Sequence, residues 1–275
     1  MKRTKSHVRT LAALTLAACS LAGTTPVTAQ QTTSASTVAA GPADAALHNA
    51  ARDGKYLFVY FWKQNDQQTQ SMQGVFDQAT GRMTDVANAI RVNITDPSNA
   101  SIVEKFGVSR APMPLSLAIA PNGAVTQGLP VSFNENQLRE AVVSQGTADC
   151  LKAMQDRKLA LLCVKENVDS AAFQGARELT QDERFAASTQ IVNIDPTDAS
   201  EQSFLQSLKV DASAGNGVLV VMTPAGQPVA TIAENATKDQ IIQRLTAVST
   251  SCCPDGKCAP GQQCCPDGNC APSKK

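Results

Sequence analysis

The chain repeats itself. Val92-Asn93-Ile94-Thr95-Asp96-Pro97 is answered by Val192-Asn193-Ile194-Asp195-Pro196, and Ala120-Pro121-Asn122-Gly123 by Thr223-Pro224-Ala225-Gly226. Asn136-Gln137-Leu138 is answered by Asp239-Gln240-Ile241, and Leu47 ahead of the run Tyr56–Trp62 by Leu151 ahead of Leu159–Val164. The offsets stay between 100 and 104 residues. A period of that length restricts the fold to one small domain used twice.

Each copy carries the same series of elements. An amphipathic helix (Ala45–Arg52; Ala148–Asp156) leads into a near-continuous apolar run (Tyr56–Trp62; Leu159–Val164). Runs without polar alternation suit central strands covered on both faces. A longer segment follows, then a strand ending at Asp-Pro, a short helix, an apolar strand (Leu115–Ala120; Val218–Thr223), a Pro-x-Gly hairpin, an edge strand and a last helix. Helices interleaved with buried strands predict an α/β fold: two tandem three-layer α/β/α domains.

Phe58-Val59-Tyr60-Phe61-Trp62, the Val-Asn-Ile-Thr-Asp segment, Lys105-Phe106-Gly107-Val108, Met113-Pro114 and Pro121-Asn122-Gly123 resemble the successive landmarks of a thioredoxin domain. The resemblance covers residues 42 to 146, and 147 to 248 more loosely. It implies the thioredoxin fold and places Pro114, with Met113 before it, at the family's cis-proline position. It also implies a dithiol a few residues after Trp62, at a helix start that would lower the first thiol's pKa.

The chain departs from that family at its chemistry. Counting from Trp62, Asp66 and Thr69 stand where the two cysteines would be, and the same count from Val164 in the second copy gives Val168 and Ala171. Tyr60 replaces the family's buried aspartate, and Gly217 replaces the cis-proline in copy two. Dithiol exchange by the family mechanism is therefore not expected of either domain. An aspartate at a helix start is expected to cap it. Of the cysteines outside the ends of the chain, Cys163 lies in an apolar run and Cys150 on the helix before it, a buried pair either reduced or bridged.

The two ends carry the other signals. Lys2, Arg3, Lys5 and Arg9 precede the short apolar stretch from Leu11 to Gly23, an export signal too short to span a bilayer. Val27-Thr28-Ala29 before Gln30 suits signal peptidase. Leu16-Ala17-Ala18-Cys19 resembles a lipobox that would lipidate Cys19. The expected division is a signal peptide at 1–29 (or a lipoprotein signal at 1–18), a flexible leader at 30–42, domains at 43–146 and 147–248, and a tail at 249–275. The expected location is the periplasm or cell envelope, lipid-anchored if Cys19 is modified.

The tail holds six of the nine cysteines in a doublet. Cys252-Cys253-Pro254-Asp255-Gly256-Lys257-Cys258 recurs as Cys264-Cys265-Pro266-Asp267-Gly268-Asn269-Cys270. Pro-Asp-Gly is a turn former that folds Cys253 back toward Cys258 and Cys265 toward Cys270. Thiols gathered in this way form disulfides, the default after export, or ligate Cu(I) or Zn(II) as thiolates.

With 24 basic and 24 acidic residues, the chain has no charge excess to attract nucleic acid. Three functions fit. One is a redox-degenerate binding or scaffold module for another envelope protein, touching the membrane only through a lipid on Cys19. The second is a Cu(I) or Zn(II) carrier through the tail, and the third is an oxidoreductase using the tail thiols as a relay.

Overall fold

In the computed structural model, residues 41–166, 172–210 and 217–251 are described, with side chains through residue 247. Each copy opens on a helix whose buried stripe faces its own sheet. In α1 (Pro42–Arg52), Ala43, Leu47 and Ala50 recur at helical spacing and are buried. The helix starts with proline at its first position, and the Asp44 carboxylate accepts the Gly41 N–H at 3.1 Å. In α5 (Gln145–Gln155), the stripe is Gly146, Cys150 and Ala153. The buried Glu201 carboxylate accepts the Gly146 N–H (2.7 Å) and the Ser144 hydroxyl (2.6 Å), pinning this helix start to the second domain. Both helices open three residues earlier than the apolar periodicity suggests, because their first turns are specified by capping groups.

The first sheet contains β1 (Tyr56–Trp62), β2 (Ala87–Asn93), β3 (Leu115–Ile119) and β4 (Val125–Pro130) in the order β2-β1-β3-β4. The β1/β2 pair is parallel; β1/β3 and β3/β4 are antiparallel. The second sheet repeats this order and these directions with β5 (Leu159–Val164), β6 (Thr189–Ile194), β7 (Val218–Met222) and β8 (Pro228–Ala233). In the first domain α2 (Gln67–Gly81) and α4 (Glu135–Glu140) cover one face, and α1 and α3 (Ala100–Lys105) the other. In the second, α6 (Gln174–Gln181) and α8 (Lys238–Ser251) lie on one face, α5 and α7 (Gln202–Ser207) on the other. Both domains are thioredoxin-like in architecture. Among the described residues, no helix is long and apolar enough to cross a membrane.

The pairing registers fix the equivalence of the copies. Tyr56 pairs with the first residue of β2 and Leu159 with the first of β6; Leu57 faces Ile119 as Ala160 faces Met222. Tyr56 thus matches Leu159 and Ile119 matches Met222, 103 residues apart in each case. Three alignments drawn from the sequence shift. Val92 opposes Phe61 and Ile194 opposes Val164, so Val92 matches Ile194 rather than Val192. The other two shift by one residue. Leu47 matches Cys150 rather than Leu151, and Lys165 rather than Val164 matches Trp62. The count in copy two then falls on Asp169 and Ala172, neither of them a cysteine.

Strand alternation sorts the cores. Along β1, Tyr56, Phe58 and Tyr60 face α2, while Leu57, Val59 and Phe61 face α1. Along β5, Leu161 and Cys163 pack with Phe173, Ala176 and Leu179, whereas Leu162 and Val164 pack with Cys150 and Ala153. Cys150 and Cys163 therefore lie on opposite faces of one sheet. Both are free thiols, and no bridge joins them. Burial pushes their pKa up to about 11 and about 12 respectively, so neither is a nucleophile near neutral pH.

The domains share α5. Its Ala148 and Leu151 pack into the first core and its Cys150 and Ala153 into the second. The first domain's hairpin docks on the same helix: Asn122 Nδ2 donates to Asp149 at 2.7 Å, and the Gln155 amide takes both backbone groups of Val125 (3.0 and 2.7 Å). Tyr56 Oη donates to the Val143 carbonyl at 2.8 Å, tying β1 to the segment before α5.

Candidate functional site

The positions singled out around Trp62 and Pro114 lie where β1 hands over to α2, beside the loop entering β3. Asp66 is the N-cap of α2: its carboxylate accepts the Thr69 N–H at 2.8 Å. That bond, with a second from the Thr69 hydroxyl, holds its carboxyl below the usual range. It is therefore an anion committed to the helix start, as the sequence predicts, and a weak base. Thr69 is buried, and its carbonyl accepts the Tyr60 hydroxyl at 2.6 Å.

Tyr60 is itself fully buried, its ring 5.3 Å from that of Phe76 and 6.4 Å from that of Phe133. Desolvation, aided by the charges of Asp66 and Asp77, pushes its pKa up to about 12, so the phenol stays neutral and relays no proton near pH 7. Across the ladder from Tyr60 stands Ser116, whose buried hydroxyl has no hydrogen-bond partner.

The other wall is the loop before β3. The Met113–Pro114 peptide is cis, as the resemblance implies. Pro114 is buried, and its carbonyl accepts the Val131 N–H at 2.7 Å. The Val131 carbonyl in turn accepts Gln68 Nε2 at 3.1 Å. Gln68 lies between Asp66 and Thr69, so this chain of bonds joins the first turn of α2 to the cis-proline loop. Trp62 is half-buried against the α2-side core. Met113 is half-buried against the opposite one. Among the described residues, the Met113 backbone N–H and C=O make no hydrogen bond. The Ala111 and Pro112 carbonyls are likewise unbonded among the described residues, so the backbone leading into β3 is open.

In the second domain the positions of Pro114 and Val131 are built differently, and Asn216, the counterpart of Met113, lies outside the described residues. Gly217 stands for Pro114 and Glu234 for Val131, with the same backbone bond between them (Glu234 N–H to Gly217 C=O, 3.1 Å). Glu234 Oε2 turns inward, accepts the Gly217 N–H at 3.2 Å and pairs with Lys165 Nζ at 2.8 Å. A Cβ on Gly217 would lie 2.3 Å from that oxygen and would displace the carboxylate. Lys165 is the counterpart of Trp62. The deeper pair differs as well: Tyr60 and Ser116 become Cys163 and Leu219.

Sequence reasoning reached Trp62, Asp66, Thr69, Met113 and Pro114 but missed Gln68, Val131, Lys165 and Glu234. The last two could have been found by aligning the copies on strand register. Nothing in the local sequence marks Val131. Cys19 and the tail cysteines Cys252, Cys253, Cys258, Cys264, Cys265 and Cys270 lie outside the described residues. Among the described residues, no group of three or more His, Cys, Asp or Glu is placed to hold a metal.

No protein-family model and no curated protein matches the chain. Solved structures do resemble it. The oxidised thioredoxin of Plasmodium falciparum is 15% identical with a TM-score of 0.28, over 34% of this chain and 83% of that one. StoA from Bacillus subtilis is 12% identical with a TM-score of 0.28, over 32% and 82%. The zinc-bound form of human ERp44 is 11% identical with a TM-score of 0.34, over 73% of this chain and 54% of that one. Likeness at this level says nothing of activity; the architecture stands on the strand order, pairing directions and cis peptide described above.

Proposed function

We propose that this chain is an exported, non-catalytic binding module of the cell envelope, whose first domain holds an extended segment of another envelope protein beside Met113. One observation carries the reading: the cis-proline loop is kept with the Met113 backbone open, while the positions opposite it hold a helix cap and a buried threonine in place of thiols. An open N–H and C=O on one residue offer a two-point ladder contact to a strand-like segment, the main-chain mode by which extended peptides join a sheet. The second domain does not compete, because Glu234 folds over Gly217 as a plug that Lys165 neutralises. Through α5 it braces the first. Export is supported by the basic and apolar N-terminal pattern.

The test is amide NMR of the full chain titrated with blocked hexapeptides of high β-propensity. A saturable shift of the Met113 amide, absent at Gly217, is expected. No shift at Met113 with any peptide would refute the reading. A parallel insulin-reduction assay addresses redox activity: turnover by the intact chain would be equally fatal, and its loss on Cys-to-Ser replacement throughout the tail would point to the tail relay.

A further inference from the structure

Given an extended segment at Met113, the geometry points to Val131 as the residue that selects an apolar side chain within that segment. The first observation is backbone conformation. Four non-glycine residues among those described have positive φ: Val131 (66°), Arg157, Phe173 and Lys209. Arg157 and Lys209 each sit two residues past the end of a helix, where a left-handed residue is the usual terminator. Val131 alone is β-branched, and there the left-handed region crowds Cβ most severely.

The conformation is held from both sides. The Val131 N–H is spent on the Pro114 carbonyl and its C=O on Gln68, so the residue is clamped between the cis-proline loop and the first turn of α2. The consequence is exposure. Val131 stays 40% accessible, one of two large hydrophobic residues so exposed among those described. An exposed valine on relaxed backbone needs no explanation. A strained one, bonded to both walls of the site, does.

The second observation is the internal comparison. Glu234 occupies the same position and makes the same backbone bond, yet it is not left-handed and its side chain folds inward over Gly217. The backbone at this position therefore decides whether its side chain plugs the site or stands at its rim. In the first domain it stands at the rim, partly exposed, where a bound segment would cover it.

Val131→Gly and Val131→Asn both suit φ near 66° and both remove the apolar surface. They are compared with wild type by thermal unfolding and by titration with blocked hexapeptides whose central residue is leucine, serine or aspartate, read at the Met113 amide. Wild type should bind the leucine peptide about tenfold more tightly than the serine peptide, the scale of burying one aliphatic side chain in part. Both variants should keep or raise the melting midpoint, still respond at Met113, and lose the leucine preference. A preference that persists in both variants overturns the role of Val131 while leaving the binding reading intact. A lowered midpoint in both overturns it too, because Val131 would then be a packing residue. No response to any peptide in wild type overturns the binding reading and this inference with it.

Discussion

Replacing Ser116 with alanine should stabilise the protein. Ser116 Oγ is buried in the first sheet with no donor or acceptor in reach, and the residue is 1% exposed. A hydroxyl in that state has lost its water without regaining a hydrogen bond, a cost of about 1–3 kcal/mol. Alanine removes the hydroxyl and little else. The void left by one oxygen is small, so the loss of contacts offsets only a fraction of the gain. The net expectation is about 1 kcal/mol of added stability, or a melting midpoint about 2–4 °C higher for a body of this size. Urea unfolding followed by circular dichroism should show the midpoint rising with an unchanged slope. A loss of 1 kcal/mol or more would refute the reasoning, because it would mean that the hydroxyl has a partner, such as a buried water bridging it to the sheet.

The two sheets fill this ladder position differently. Leu219 fills the place of Ser116 in the second sheet because Cys163 is small where Tyr60 is large; Ser116→Leu alone should therefore cost about 1–3 kcal/mol by overpacking, and adding Tyr60→Cys should recover part of it in a double-mutant cycle. Gln155→Ala removes two hydrogen bonds to Val125 and should weaken the docking of the first hairpin on α5, read as faster amide exchange at Val125 with both sheets retained. Asp66→Ala should destabilise the protein at neutral pH. The folded-state pKa of Asp66 is depressed, so its contribution is present above the unfolded value near 3.9 and is lost as pH falls through the folded one; urea midpoints of wild type and variant should converge as the pH drops below that unfolded value. Cys150 and Cys163 should resist iodoacetamide at pH 8 in the native protein and react fully in denaturant; native labelling of either would contradict their burial.

The scaffold was legible because it is written in long apolar runs. Tyr56–Trp62 and Leu159–Val164 announce central strands, and Met113-Pro114 followed by an apolar strand marks the cis-proline loop. The helix starts were read late because Pro42, Asp44 and Ser144 act through caps that leave no trace in hydrophobic periodicity. The one-residue slip between copies has a similar origin. Leu47 and Leu151 look alike, yet one belongs to its own core and the other to the neighbouring domain's, a distinction set by the junction at α5. The site was half legible. Asp66 and Thr69 could be counted from Trp62, but the state of Val131 depends on a φ angle, and the plug at Gly217 on an ion pair between residues 69 positions apart in sequence. The fate of Cys150 and Cys163 turned on strand alternation, which puts them on opposite faces.

The tail yields a last prediction from arithmetic alone. Each repeat carries three thiols, so a repeat cannot oxidise completely within itself. Adjacent cysteines are poor partners: successive Cα atoms lie about 3.8 Å apart, whereas disulfides span about 4.4–6.8 Å. A fully oxidised tail must therefore hold at least one bridge between Cys252, Cys253 or Cys258 and Cys264, Cys265 or Cys270. Cleavage between the repeats, followed by mass spectrometry without reduction, should leave the two halves covalently joined. If the halves separate, the tail is not a fully bridged unit, each repeat keeps an unpaired thiol, and the odd count matches three-thiolate ligation of Cu(I) better than a staple. Native mass spectrometry of the same sample, with and without added Cu(I), then distinguishes a ligand set from incomplete oxidation.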